Sequence, residues 1–228
     1  MPIDWAIRYA PIVSFIRSCQ PNSILEVGSG PQGVAYFLKD TAVVGTDIHF
    51  GELPLTNIRP VIASSTALPF HDHAFDMVLS SDMMEHLPED LRQNAMREML
   101  RVAARYLVVG FPSGVIAKTH DLDVAASLAR RGIKMPIWLS EHLQHEYPTS
   151  QSVLRGLPVE SMRCCVIANA NWRLHKALVA LQTSYHFNRL VKWLRLDNMK
   201  LVMSLENILH RGQTYREIIF LEGKKPAS

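Results

Sequence analysis

The sequence predicts an α/β fold, a largely parallel sheet covered by helices on both faces, and three observations carry that expectation. Short apolar runs alternate with amphipathic stretches over the first half of the chain, the pattern of strand–helix–strand units. The first run leads into ILEVGSGPQGVAYFL (residues 24–38), where Gly28, Gly30 and Gly33 fit G-x-G-x-x-G. The second run ends in Asp47, 21 positions after Glu26, the place where such sheets present a carboxylate to a ribose.

Taken in order, Ile7, Ile12, Val13, Phe15 and Ile16 suggest an opening helix interrupted near Pro11. Residues 23–27 read as a strand, and 31–39 as a helix beginning at Pro31, where a missing N–H costs little. Further strands are expected at 42–48, 60–63, 75–81 and 106–111, with a helix at 89–104. Residues 115–160 read as irregular, rich in His, Pro and Leu, forming a cover over the carboxyl ends of the strands. A sixth strand (163–168), a helical insert (about 172–210) and a seventh strand (215–221) follow. Residues 223–228 read as disordered. The expectation is a single domain over 1–228, with a cofactor-binding half at 1–112 and two inserts.

Composition excludes several classes. The 228 residues are 48% hydrophobic and 20% charged, enough apolar material for one substantial core. A net charge of +3 without dense Lys/Arg blocks gives no reason to expect nucleic acid. Three cysteines without metal-ligand spacing fit a reducing compartment. No basic n-region precedes an apolar stretch, and no apolar run reaches about 18 residues, so a cytoplasmic protein without a membrane span is expected. Cys164 and Cys165 read as small hydrophobes facing opposite sides of a strand.

The glycine loop could serve a pyrophosphate or an amino acid carboxylate. Glu26 decides between them, because a carboxylate beside a pyrophosphate sets like charges together. Beside an ammonium group it is favourable. S-adenosylmethionine carries an ammonium, a carboxylate, a sulfonium and a nucleoside, and no phosphate.

Glu26-x-Gly28-x-Gly30, then GTDIHF with Asp47, then ALPFHDHAFDMVLSSDMMEHLP together resemble a class I S-adenosylmethionine-dependent methyltransferase of the small-molecule (UbiE/UbiG-like, type 11) branch, over about residues 22–112. The resemblance implies a Rossmann-like, seven-stranded, mostly parallel sheet whose last strand is antiparallel. It implies that Glu26, Gly28 and Gly30 face the methionine part, Asp47 the ribose and Ile48 the adenine. Where many relatives carry an acid before LPF, this chain has Ser64 and Ser65. Ser81 falls where cofactor and acceptor meet. The implied reaction is methyl transfer to an oxygen or nitrogen of a small-molecule or lipid-linked acceptor. A binding or scaffold protein without turnover, and more distantly an NAD-dependent oxidoreductase, are the alternatives.

No single residue is identified as the general base; His86, His142 and His145 are the candidates. Asp82, Glu85 and His86 have the spacing of a divalent-cation site, but loop architecture is the favoured reading and no metal is expected. His120, Trp138 and Tyr147 complete an enclosure suited to an acceptor. The stretch 188–209 reads as one basic amphipathic helix, with Leu190, Val191, Leu194, Met199, Val202 and Leu205 opposing Arg189, Lys192, Arg195 and Lys200. It could lie on a membrane surface or cover a lipid-like substrate; docking on its own domain or on a homodimer partner is favoured.

Overall fold

The computed structural model describes residues 3–182, 185–194 and 198–223. Seven strands form one sheet: β1 (Ile24–Val27), β2 (Val43–Asp47), β3 (Ile58–Ile62), β4 (Phe75–Ser81), β5 (Ala103–Pro112), β6 (Met162–Asn171) and β7 (Thr214–Gly223). Their order across the sheet is β3-β2-β1-β4-β5-β7-β6. The pairs from β3 to β5 are parallel, while β7 runs antiparallel to β5 on one side and β6 on the other. The strand order reverses between β1 and β4, which places a crevice at their carboxyl ends.

Central strands buried on both faces need apolar residues in succession rather than in alternation. In β4, Val78 packs on one face with Met96, Met99 and Val102 of α2 (Glu89–Val102). Met77 and Leu79 point to the other face, against Ile12, Val13 and Ile16 of α1 (Ile3–Cys19). β5 repeats the division, with Leu107, Val109 and Phe111 on the first face and Tyr106 and Val108 on the second. Met77, Met84, Met96 and Met99 are fully buried core residues.

Several sequence expectations change. α1 runs through Pro11 without a break, its buried face (Ile7, Ala10, Ile12, Val13, Ile16) compensating the lost backbone bond by packing. The expected helix at 31–39 contracts to a 3₁₀ turn, Gly33–Phe37. The expected irregular cover is largely helical: α3 (Gly114–Arg130), α4 (Ile137–Gln144) and α5 (Ser150–Leu154). Its weak apolar periodicity hides these helices, because α3 buries only Ala117, His120 and Asp121 fully. Cys164 and Cys165 are both exposed, since β6 is the edge strand.

The insert before β7 forms α6 (Trp172–Gln182), α7 (Tyr185–Trp193), α8 (Met199–Ser204) and α9 (Glu206–Leu209). The continuous helix expected over 188–209 is therefore divided, with Arg195 in it lying outside the described residues, as do 224–228 of the tail. Val202, Met199 and Met203 dock beside Ala6, Ile7 and Ala10 of α1. Leu190, Trp193 and Leu194 remain exposed. Among the described residues, no helix is long and apolar enough to cross a membrane.

Met99→Ala would open a cavity between α2 and the sheet at a fully buried position. The expected loss is about 2–5 kcal/mol of stability, read as a lower urea midpoint.

Candidate active site

Two cavities lie at the carboxyl edge of the sheet. The first, about 360 Å³, is lined by Val27 and Gly28 at the end of β1, Thr46, Asp47 and Ile48 at the end of β2, and Ala63, Ser65, Met83 and Leu87. The second, about 370 Å³, is lined by Asp4 and Arg8 of α1, His120 and Asp121 of α3, Trp138 and His142 of α4, and Tyr215 and Arg216 of β7. Asp82 and His86 line both cavities and stand at their junction.

The first cavity owes its shape to the glycine loop. Gly28 and Gly30 have φ of 74° and 53°, and a Cβ on Gly28 would lie 2.6 Å from the Met83 side chain. The N–H groups of Gly28 and Ser29 donate to the Thr46 carbonyl at 2.8 and 3.1 Å. Gly30 donates its N–H to Asp47 Oδ2 at 2.8 Å, tying the loop to β2. Asp47 and Ile48 line the cavity, and Ile48 is 78% exposed.

Glu26 is placed differently. It is fully buried behind the loop, accepting a 2.6 Å bond from Val34 N–H and a 3.0 Å bond from the Tyr9 hydroxyl. Burial pushes its carboxyl up to about 8, although the bonds from Val34 and Tyr9 work in the opposite direction. A Cβ on Gly33 would run into this carboxyl group. Glu26 therefore braces the loop instead of facing a ligand's ammonium. A pyrophosphate needs free N–H groups at a helix start. Here the N–H groups of Gly28, Ser29, Gly30 and Val34 all have protein partners, and the loop opens into a single 3₁₀ turn.

Of the two hydroxyls before LPF, Ser65 lines the cavity, whereas Ser64 shares a 2.9 Å hydrogen bond with Thr66. Ser81 is buried, donating to Asp82 Oδ2 at 3.2 Å and accepting from Arg216 Nη2 at 3.2 Å. It supports the junction without lining it.

Asp82 has a φ of 59°, in the left-handed region that Asp tolerates better than most residues. Its carboxylate pairs with Arg8 at 2.9 Å and with the buried Arg216 guanidinium. Burial, then the charge of Arg8, pull the Arg216 pKa well below its ordinary value. Asp82 is thus turned away from Glu85 and His86, correcting the triad suggested by spacing. His142 takes its place: His142 Nε2 lies 3.1 Å from His86 Nε2 and 3.9 Å from Glu85 Oε1. His86 Nδ1 contacts Glu141 at 2.7 Å, and His142 Nδ1 contacts Asp121 at 2.9 Å.

Burial raises Glu85 to about 8. Burial, then the neighbouring His142, lower His86, opposed by Glu141. Burial would raise Asp121, yet bonds from His120, His142 and Tyr147 bring its carboxyl below the ordinary range. Burial drops His175, stacked on Tyr215 with ring centroids 4.1 Å apart, to about 3. Of the candidate bases, His86 and His142 reach the second cavity, and His145 does not. Trp138 stands at its wall, edge-on to His142 with centroids 5.3 Å apart.

Arg8, Arg216, Asp121 and Glu141 were missed by sequence reasoning. Arg216 had a signal, as a lone cation in the apolar run TYREIIFL; the others lie on segments without a motif.

Residues 25–106 match the family model described as a methyltransferase domain. An uncharacterized methyltransferase of Mycobacterium sp. (strain KMS) is 37% identical over 88 residues, 36% of this chain and 34% of the relative. The match thus spans about a third of the length of that relative. Among solved structures, magnesium protoporphyrin IX methyltransferase from Synechocystis PCC 6803 with bound SAH aligns over 96% of this chain and 86% of its own, with TM-score 0.55 and 12% identity. Geranyl diphosphate C-methyltransferase from Streptomyces coelicolor A3(2), in complex with Mg2+, geranyl diphosphate and S-adenosyl-L-homocysteine, covers 89% and 71%, with TM-score 0.50 and 12% identity. The seven-stranded sheet is the Rossmann-like fold of these methyltransferases.

The buried Glu26 carboxyl gives a pH dependence. A group raised from 4.5 to about 8 contributes stability that is fully present below its unfolded value and lost as pH rises towards 8. Glu26→Gln keeps an acceptor for Val34, and the Tyr9 hydroxyl can turn to accept from the amide. The thermal midpoint of the variant relative to the parent is expected to be higher at pH 8 than at pH 5 by several degrees, at about 2–4 °C per kcal/mol. Parallel midpoint curves across that range would show that Glu26 does not titrate on unfolding.

Proposed function

We propose that this chain is an S-adenosylmethionine-dependent methyltransferase of the small-molecule, UbiE/UbiG-like branch. It transfers a methyl group to an oxygen or nitrogen of a small polar acceptor. The observation that carries this reading is the pair of adjoining cavities. One has the glycine loop, a ribose-directed carboxylate and an apolar platform. The other is lined mainly by titratable side chains, and the two meet at Asp82 and His86.

Asp47 would hold the ribose hydroxyls of S-adenosylmethionine and Ile48 its adenine, and the bound cofactor would supply an electrophilic methyl group with a neutral thioether as leaving group. The acceptor would enter beside His142 and Trp138, with His86 or His142 placed to take the proton it releases. Alignment at contact distance supplies much of the acceleration. Volume and charge of the second cavity favour a small polar acceptor over a lipid-linked one. A lipid-linked acceptor or a homodimer would use the apolar side chains exposed on α7, Leu190 and Trp193. The bonded loop N–H groups weigh against NAD; a binding or scaffold protein that keeps the first cavity without turnover is distinguished by measuring methyl transfer.

Calorimetry with S-adenosylmethionine, S-adenosylhomocysteine and NADH tests the reading. Binding of the two adenosyl ligands and none of NADH is expected; the reverse pattern would overturn it. Asp47→Ala is expected to weaken adenosyl-ligand binding by about 1.5–3 kcal/mol, the scale of a lost charge-assisted bond. Unchanged affinity in a folded variant would remove the ribose assignment. Trp138→Ala is expected to lower turnover at least tenfold, about 1.4 kcal/mol, with adenosyl-ligand affinity unchanged. A parallel fall in affinity and thermal midpoint would instead make Trp138 a packing residue.

A further inference from the structure

We propose that Glu85, His86 and His142 form a binding site for one first-row transition-metal dication, open towards the acceptor cavity, with Asp121 and Glu141 orienting the two imidazoles.

The argument begins with tautomers. Asp121 lies 2.9 Å from His142 Nδ1, and Glu141 lies 2.7 Å from His86 Nδ1. An ionised carboxylate accepts, so each Nδ1 carries the proton and each Nε2 presents a lone pair. Those lone pairs face one another across 3.1 Å. Two acceptors at that distance repel unless a cation or an additional proton lies between them. The third group is Glu85, 2% exposed, with Oε1 3.9 Å from His142 Nε2 and Oε2 buried without a hydrogen-bond partner. One ligand atom from each of the three residues lies within 4.8 Å of the others.

The 3.1 Å and 3.9 Å separations from His142 Nε2 fit a dication. Donors about 2.1 Å from a metal at angles of 90–109° lie roughly 3.0–3.4 Å apart, and wider angles extend the range towards 4 Å. Carboxylates behind both imidazoles are the usual support of metal-binding histidines, fixing ring orientation and tautomer. Two imidazoles and a carboxylate suit zinc, iron or manganese; magnesium and calcium favour oxygen donors. All three side chains line the acceptor cavity, so the remaining coordination positions open into it.

The use of the metal rests on the methyltransferase reading. An acceptor hydroxyl bound to the dication becomes more acidic and releases its proton to water. The oxygen then forms its bond to the methyl carbon as the C–S bond breaks, leaving a neutral thioether. His86, at the junction, would set the distance between the two centres.

The test uses the full chain, stripped with EDTA and dialysed. Titration with Zn2+ alone, followed by calorimetry, is expected to give one equivalent bound at micromolar or tighter affinity, with Mg2+ at least a hundredfold weaker. Glu85→Gln, His86→Ala and His142→Ala should each weaken Zn2+ binding at least tenfold. Asp121→Asn, which removes no ligand, should weaken it about 10–100-fold. His145→Ala should leave it unchanged. X-ray absorption at the zinc edge of the parent protein should report two imidazoles, a measurement independent of how the variants fold. Absence of saturable binding, or a zinc shell without histidine, would overturn the proposal and leave the pair as a proton-bridged wall. S-adenosylhomocysteine binding by the stripped protein separates the two readings: its retention with no zinc site removes only the metal, and its absence with an intact zinc site removes only the methyltransferase.

Discussion

The junction of the two cavities depends on a buried ion pair. Arg216 lies in a strand that is buried on both sides, where an isolated guanidinium would be severely destabilising. Asp82, Ser81 and Asn169 supply its partners. Asp82 in turn accepts from Arg8 of α1. One carboxylate therefore joins β4, β7 and the opening helix directly beneath the site. Its left-handed backbone conformation is the local cost of aiming the side chain at both cations.

The glycine loop is held by the same economy. Glu26 receives Val34 N–H and Tyr9, and Asp47 receives Gly30 N–H. The loop is thereby fixed from behind and from the neighbouring strand. Buried carboxyls at Glu26 and Glu85 are both raised to about 8 and are both closely surrounded. They shape the walls at the expense of stability at higher pH, a trade often found where a site is preformed.

The strands were legible because each is a short apolar run closed by turn residues, and β4 falls on the expected residues 75–81. The cover was not, because α3 and α4 are half-exposed helices without a sharp apolar stripe, so periodicity carries little signal. Asp47 ends β2 and Ile48 follows it, so their position at the carboxyl edge of the sheet was readable from the strand. The role of Glu26 could not, because spacing gives proximity to the loop and not the direction of the side chain. For the same reason Asp82, Glu85 and His86 looked like one cluster. Sequence neighbours at a chain turn can point to opposite sides, and only tertiary packing brought in His142, 56 residues after His86.

The segment matched by the family model stops at residue 106, and most of the second cavity is built from the remainder. Asp4 and Arg8 precede that segment; Asp121, Trp138, His142 and Arg216 follow it. Apart from Glu141, the first cavity is drawn from the matched segment and most of the second from other stretches of the chain, and the two touch through Asp82 and His86. Such a division lets the second be rebuilt over generations without disturbing the first. Likeness in the matched segment consequently carries little information about what the second cavity receives, and two chains nearly identical there could differ completely in it.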